Sequence, residues 1–121
     1  MQPLTRTVCA LLVGLAALTP LAVAARSPTL GEREAIVHAL PSLVRSAPVE
    51  CMWLKVRVSN GGRYALADPT YMNFRTSRCA RYAANGIFIL RRSPSWRVVY
   101  VGSDLPPCSK HIPRDLVSCM P

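Results

Sequence analysis

His38 and His111 are the only histidines in the chain, and Glu50, Lys55, Lys110 and Arg114 supply the other residue types that phosphodiester cleavage uses. That chemistry needs an acid and a base within reach of a phosphate-binding cation. His38 falls in a helical stretch and His111 in a Pro-containing tail, and no spacing ties the two together. Two surface histidines are the expected state. Glycoside hydrolysis needs two carboxylates across a cleft. Glu50, Asp68, Asp104 and Asp115 are available, but Asp68 precedes Pro69 as a turn residue, and Asp115 reads as the N-terminal acid of a short helix. Gly102-Ser103-Asp104 follows a strand and reads as a turn, and no G-x-S-x-G elbow is present for a serine nucleophile. The expectation is a non-enzyme with no catalytic residues and no cofactor.

Cysteine is the next candidate chemistry. The five cysteines are Cys9, Cys51, Cys79, Cys108 and Cys119. Zinc sites gather ligands at short spacing such as C-x-x-C, and the gaps here are long, so no metal is expected. The N-terminus supplies the compartment. Arg6 precedes an apolar run over residues 7–18, Pro20 breaks it, and small residues follow to Ala25. A short basic stretch, an apolar core and a small-x-small site define a secretory signal, with cleavage after Ala24 or Ala25. Residues 1–25 are therefore expected to leave, taking Cys9, and residues 26–121 to form one small domain that is secreted or held in the cell envelope. Four cysteines then remain, an even count in an exported chain. Three pairings are possible; the expectation is that neighbours along the chain join, Cys51–Cys79 and Cys108–Cys119.

Removal of 25 of the 121 residues leaves 96, which keep 14 of the 15 Lys and Arg and all 6 acids, for a net charge of +8. Such an excess favours anionic partners. The cations interleave with aromatics. Trp53, Lys55 and Arg57 alternate in one segment; Tyr71, Arg75, Arg78, Arg81 and Tyr82 follow in a second; Arg91, Arg92 and Arg97 close the series. Such groups can hold phosphates or stack on bases and sugars. The competing reading is that the arginines only solvate an outer face while the aromatics pack inside.

The elements that must position these residues follow from periodicity. Thr29-x-x-Glu32 is a capping box, and Ile36, Val37, Leu40, Leu43 and Val44 share one helical face, with Pro41 ending or kinking the helix near Leu40. His38 turns to solvent with Glu34 and Arg45. From Cys51 the period becomes two, with Met52, Leu54, Val56 and Val58 inward and Trp53, Lys55 and Arg57 outward. Asn60-Gly61-Gly62 signals a hairpin, and a second strand over residues 63–68 closes at Asp68-Pro69. Residues 70–85 read as an irregular loop tied by Cys79, with a strand resuming near Ala80 and a turn at Asn85-Gly86. Ile87-Phe88-Ile89-Leu90 reads as a buried central strand and residues 91–95 as a loop. The fourth strand, residues 96–101, sets Trp96, Val98 and Tyr100 against Arg97, Val99 and Val101. A short helical turn is expected over residues 112–117. The fold class is α+β: one N-terminal helix on an antiparallel meander of about four strands, stapled by two disulfides. The helix covers one face, and the basic residues on the other stay wet.

Cys79-Ala80-Arg81-Tyr82-Ala83-Ala84-Asn85-Gly86, Trp96-Arg97-Val98-Val99, Gly102-Ser103, Cys108, Ile112-Pro113, Asp115-Leu116 and Cys119 together resemble a family of small secreted proteins of actinobacteria and other GC-rich bacteria. The likeness covers residues 51–119, with a helix of the Glu34-Ala35-Ile36 type ahead. It implies export and disulfides and no activity. The segment Ile112-Pro113-Arg114-Asp115-Leu116 is shorter than the stretch the family carries before its Asp-Leu.

The expected function is that of a monomeric exported domain binding an anionic envelope polymer or lipid, or another secreted protein. One alternative is a small inhibitor of a hydrolase, presenting residues 91–95 or 105–109 from a pinned loop. A basic ribonuclease, with nucleic acid as partner, is the other.

Overall fold

The computed structural model describes Gly14, residues 24–83 and residues 86–121. The expected export segment, residues 1–25, lies outside the described residues apart from Gly14, Ala24 and Ala25, as do Ala84 and Asn85. The chain folds as α1 (Leu30–His38), α2 (Ser42–Arg45), β1 (Met52–Val58), β2 (Tyr64–Tyr71), α3 (Ser77–Ala80), β3 (Ile87–Arg92) and β4 (Trp96–Gly102), followed by a 3₁₀ turn at Cys108–Lys110. The strands form one antiparallel sheet in the order β1-β2-β3-β4. The class is α+β, and both disulfides join neighbours along the chain, Cys51 to Cys79 and Cys108 to Cys119.

The capping box starts α1. The Glu32 amide donates to Thr29 Oγ1 at 3.2 Å, and the Thr29 amide donates to Glu32 Oε1 at 3.0 Å. The same carboxylate accepts from Nη1 and Nη2 of Arg26, at 2.7 and 2.9 Å. The Arg26 hydrogen bond and then the Thr29 amide hold the Glu32 carboxyl down at about 2. Its folded pKa lies below its unfolded value, so its contribution to stability is present above about pH 4.5 and is lost as pH falls towards 2. Unfolding midpoints taken from pH 6 to pH 2 should therefore show the gap between wild type and Glu32→Gln closing across that window. A constant gap would detach the ion pair from stability.

After Pro41 the chain starts a new helix, α2, instead of continuing the first. Val44 stays against the core while Leu43, expected beside it, is exposed, because the break resets the helical phase. His38, Glu34 and Arg45 face solvent as expected.

β1 buries Met52, Leu54, Val56 and Val58 and exposes Trp53, Lys55 and Arg57, the alternation that its sequence predicts. Gly62 in the following turn has φ +74°, a region open to glycine without a Cβ penalty. β2 does not stop at Asp68-Pro69 but runs on to Tyr71, and Asp68 is a strand residue opposite Lys55. Pro69 is tolerated because it faces Leu54 at a position that makes no hydrogen bond to β1, and β2 pairs with β3 only over Tyr64–Ala67. No strand resumes near Ala80. The short α3 stands there instead, its start capped by Thr76 Oγ1, which accepts from the Cys79 amide at 3.3 Å. Cys79 is buried against Cys51, so the cross-link roots α3 at the foot of β1.

β3 is the buried interior strand expected, and it extends through Arg91 and Arg92, leaving only residues 93–95 as the turn. The β3–β4 register contains a bulge: Ile89 faces Tyr100 while Leu90 faces Val98, so Val99 is an extra residue. Trp96 and Val98 consequently pack on one side of the sheet and Tyr100 on the other. The expected single row of Trp96, Val98 and Tyr100 is thus broken. Gly86, φ +129°, enters β3 so close to β4 that a Cβ would meet the Gly102 carbonyl oxygen at 2.8 Å.

The sheet has two apolar faces. Ile36 and Leu40 cover the first, over Met52, Leu54, Val56, Val58, Phe88, Leu90 and Trp96. On the second, Ile112 and Leu116 cover Ile89 with Tyr64, Leu66, Ile87 and Tyr100 around it. The basic residues of this face, Lys55, Arg57, Arg91 and Arg97, are exposed as expected, but the apolar residues beside them on β2, β3 and β4 are covered. Residues 106–120 make this cover by closing on themselves: the Cys108 amide donates to the Met120 carbonyl at 2.9 Å, the Met120 amide donates to Pro106 at 2.9 Å, and Cys108–Cys119 locks the neck. The helical turn expected over residues 112–117 is reduced to hydrogen bonds from the Leu116 and Val117 amides to the Pro113 carbonyl. Asp115 is not a helix-start acid. Its carboxylate accepts from the Asn60 amide at 2.7 Å, moored to the β1–β2 turn.

Candidate functional site

The expected basic surface divides into three groups. Trp53, Lys55 and Arg57 project in a row from the second face of β1, outside the part that the tail covers. Trp53 is 60% exposed, far from what a core tryptophan shows. Arg91 and Arg97 face each other across β3 and β4, with the Arg91 guanidinium 6.0 Å from the Tyr64 ring centre. Arg92 pairs with Trp96 at the end of the same hairpin. Arg75, Arg78 and Arg81 lie on or beside α3; Arg78 is neutralised by Glu50 at 2.7 Å, and Arg81 stacks 5.0 Å from the ring centre of Tyr82. Tyr71 packs against the first core, where burial raises its phenol pKa.

The β1 row and the Arg91–Arg97 group both border an outer strand of the sheet, and of the two the β1 row carries an exposed tryptophan among its cations. β1 and β4 are the two outer strands. The Met72 amide bonds to the Cys51 carbonyl at 2.8 Å and the Ser59 amide to Tyr64 at 2.9 Å, so odd-numbered residues make the ladder to β2. The backbone groups of Leu54, Val56 and Val58 therefore point away from the sheet. Val58 exchanges two bonds of 2.8 Å with Arg26, a one-residue antiparallel bridge. The Leu54 carbonyl accepts from Arg33 Nη2 at 3.1 Å. The Leu54 amide and both backbone groups of Val56 have no partner among the described residues.

Two grooves flank this edge. One, of about 500 Å³, lies between α1, α2 and β1, with Val37, Val44, Ala47, Met52 and Leu54 in its wall. The other, of about 610 Å³, lies between residues 24–28 and β1 and carries Arg33, Lys55 and Arg57. Sequence patterning identified the outward row on β1. It missed Arg33 and the edge itself, since strand order is set by the whole sheet. The Thr29 capping box was the one available hint, because it fixes the start of the helix that carries Arg33.

The remaining candidates are not assembled into one site. His38 belongs to α1 over the first face, and His111 to the tail that covers the second, so the sheet stands between them. Glu50 is engaged by Arg78, and Asp115 by the Asn60 amide. Cys51, Cys79, Cys108 and Cys119 are consumed in disulfides, and no group of three His, Cys, Asp or Glu gathers among the described residues. No described helix is long and apolar enough to cross a membrane. No family model, curated protein or solved structure matches the chain. The resemblance of residues 51–119 stands on its quoted residues alone.

Proposed function

We propose that this chain is an exported, non-catalytic binding domain whose ligand is anionic, either a component of the cell envelope or a secreted protein. The observation that carries the reading is the uncovered row of Trp53, Lys55 and Arg57 on an edge strand, while the tail covers the neighbouring strands of the same face. The net charge of +8 on residues 26–121 acts in the same direction by raising the local concentration of anions. The two disulfides support export, since such bonds persist in oxidising compartments.

Binding to anionic vesicles, an acidic wall polymer and DNA is measured across a salt series. Affinity for at least one of them should fall steeply with salt. Lys55→Gln with Arg57→Gln should weaken it roughly tenfold at low salt, from two exposed charge contacts of about 0.7 kcal/mol each. Arg75→Gln, at the separate α3 group, should leave it within about twofold. Salt-insensitive binding, or none, sinks the anionic reading.

A further inference from the structure

We propose that the β1 edge is a docking site for an extended acidic segment of a partner polypeptide, added as a fifth strand. This rests on the anionic-ligand reading and deepens it by naming the partner's class. The backbone carries the first part of the argument. The Leu54 amide and the Val56 amide and carbonyl, without a partner among the described residues, lie on one outward edge at the two-residue spacing of a strand ladder. The edge already accepts a strand-like partner at its far end, where Arg26 pairs with Val58. Arg33 occupies the Leu54 carbonyl alone, so the cover is partial.

Side-chain chemistry on the two sides of the edge sets what the incoming strand must look like. Successive residues of a strand point to opposite faces. Those pointing towards the helices enter the groove walled by Val37, Val44 and Leu54, which takes apolar side chains. Those pointing the other way meet Trp53, Lys55 and Arg57, which take carboxylates. The fitting sequence therefore alternates acidic and apolar residues. The same charges disfavour a second copy of this chain as occupant: pairing β1 with β1 would bring two sets of Lys55 and Arg57 together in one sheet. A polyanion without a peptide backbone would satisfy Lys55 and Arg57 but leave the Leu54 and Val56 groups unpaired. Edge addition is a recurrent mode of peptide recognition, with main-chain bonds supplying affinity and alternate side chains supplying specificity.

The test uses the purified protein with both disulfides intact and synthetic nine-residue peptides alternating Glu and Val. Backbone amide exchange at Leu54 and Val56 and emission from exposed Trp53 are the readouts. The alternating peptide should protect both amides at least tenfold and shift Trp53 emission to the blue. Methylating alternate peptide amides should weaken binding at least tenfold at unchanged charge, and replacing Glu by Lys should abolish it. Val56→Pro, which removes an amide that no ladder bond uses, should weaken binding while α1 and β3 amides remain protected. Binding that leaves the Leu54 and Val56 amides exposed, or that is indifferent to methylation, overturns strand addition while the anionic reading stands. Salt-sensitive binding of vesicles or DNA with no peptide binding does the same. Loss of every anionic ligand removes both.

Discussion

Replacing Cys51 and Cys79 together by serine lowers the unfolding free energy by about 3.6 kcal/mol, and replacing Cys108 and Cys119 lowers it by about 2.8 kcal/mol, from the loop lengths that each bond closes. For a domain of this size the first change moves Tm down by roughly 15–25 °C. Either is a large share of the roughly 5–15 kcal/mol that such folds possess. The two losses differ in place as well as size. The first frees α3 from the foot of β1, where Cys51 and Cys79 are both buried. The second unlocks the neck of the tail and uncovers Ile89. Calorimetry on both double variants, with hydrophobic-dye binding at a temperature where each is still folded, separates them. Dye uptake should rise with the tail variant, and a larger rise with the Cys51–Cys79 variant would contradict this division of roles.

The adjacent residues Ile89 and Leu90 provide the second large effect. Both have 0% exposure, yet they point to opposite faces of the sheet. Ile89→Ala and Leu90→Ala should each cost about 2–5 kcal/mol, through lost burial and the cavity left behind. The two variants should differ in their coupling to the tail bond. Ile89 shares a cluster with Ile112 and Leu116, so Ile89→Ala combined with loss of Cys108–Cys119 should destabilise by less than the sum of the two. Leu90 packs under α1, and its effect should add to the loss of that bond within about 0.5 kcal/mol. Equal coupling for both residues, measured by urea unfolding, would mean that the two faces are not separate cores.

Features that depend on a few neighbouring residues could be read from the chain alone. The Thr29–Glu32 box, the alternation from Met52 to Val58, the Asn60-Gly61-Gly62 turn and the apolar run of β3 all announce themselves within a turn or a strand. Features that depend on what lies alongside could not. Pro69 reads as a strand terminator until the unpaired stretch of β2 beside it is known. Val99 reads as one face of an alternating strand until the β3 register shows it to be surplus. Ile112 and Leu116 are separated by three polar or Pro residues and give no strong period, so their cover of the second face was not visible. The same limit applies to the candidate site. Trp53, Lys55 and Arg57 were legible as an outward row, but the edge beside them exists because β2 lies on one side of β1 and, among the described residues, only the one-residue Arg26 bridge on the other.

The self-closing tail has a consequence for the order in which the molecule becomes complete. The first face is assembled from residues 36–98, whereas the second waits for residues 112 and 116. A chain emerging amino end first would expose Tyr64, Leu66, Ile87 and Ile89 as an uncovered apolar strip until residues 112–116 arrive. A nonsense mutation or proteolytic nick upstream of Pro106 would leave that strip permanently bare on an otherwise formed sheet. Such a fragment would associate through the wrong face, so residues 106–120 guard the sheet against self-association.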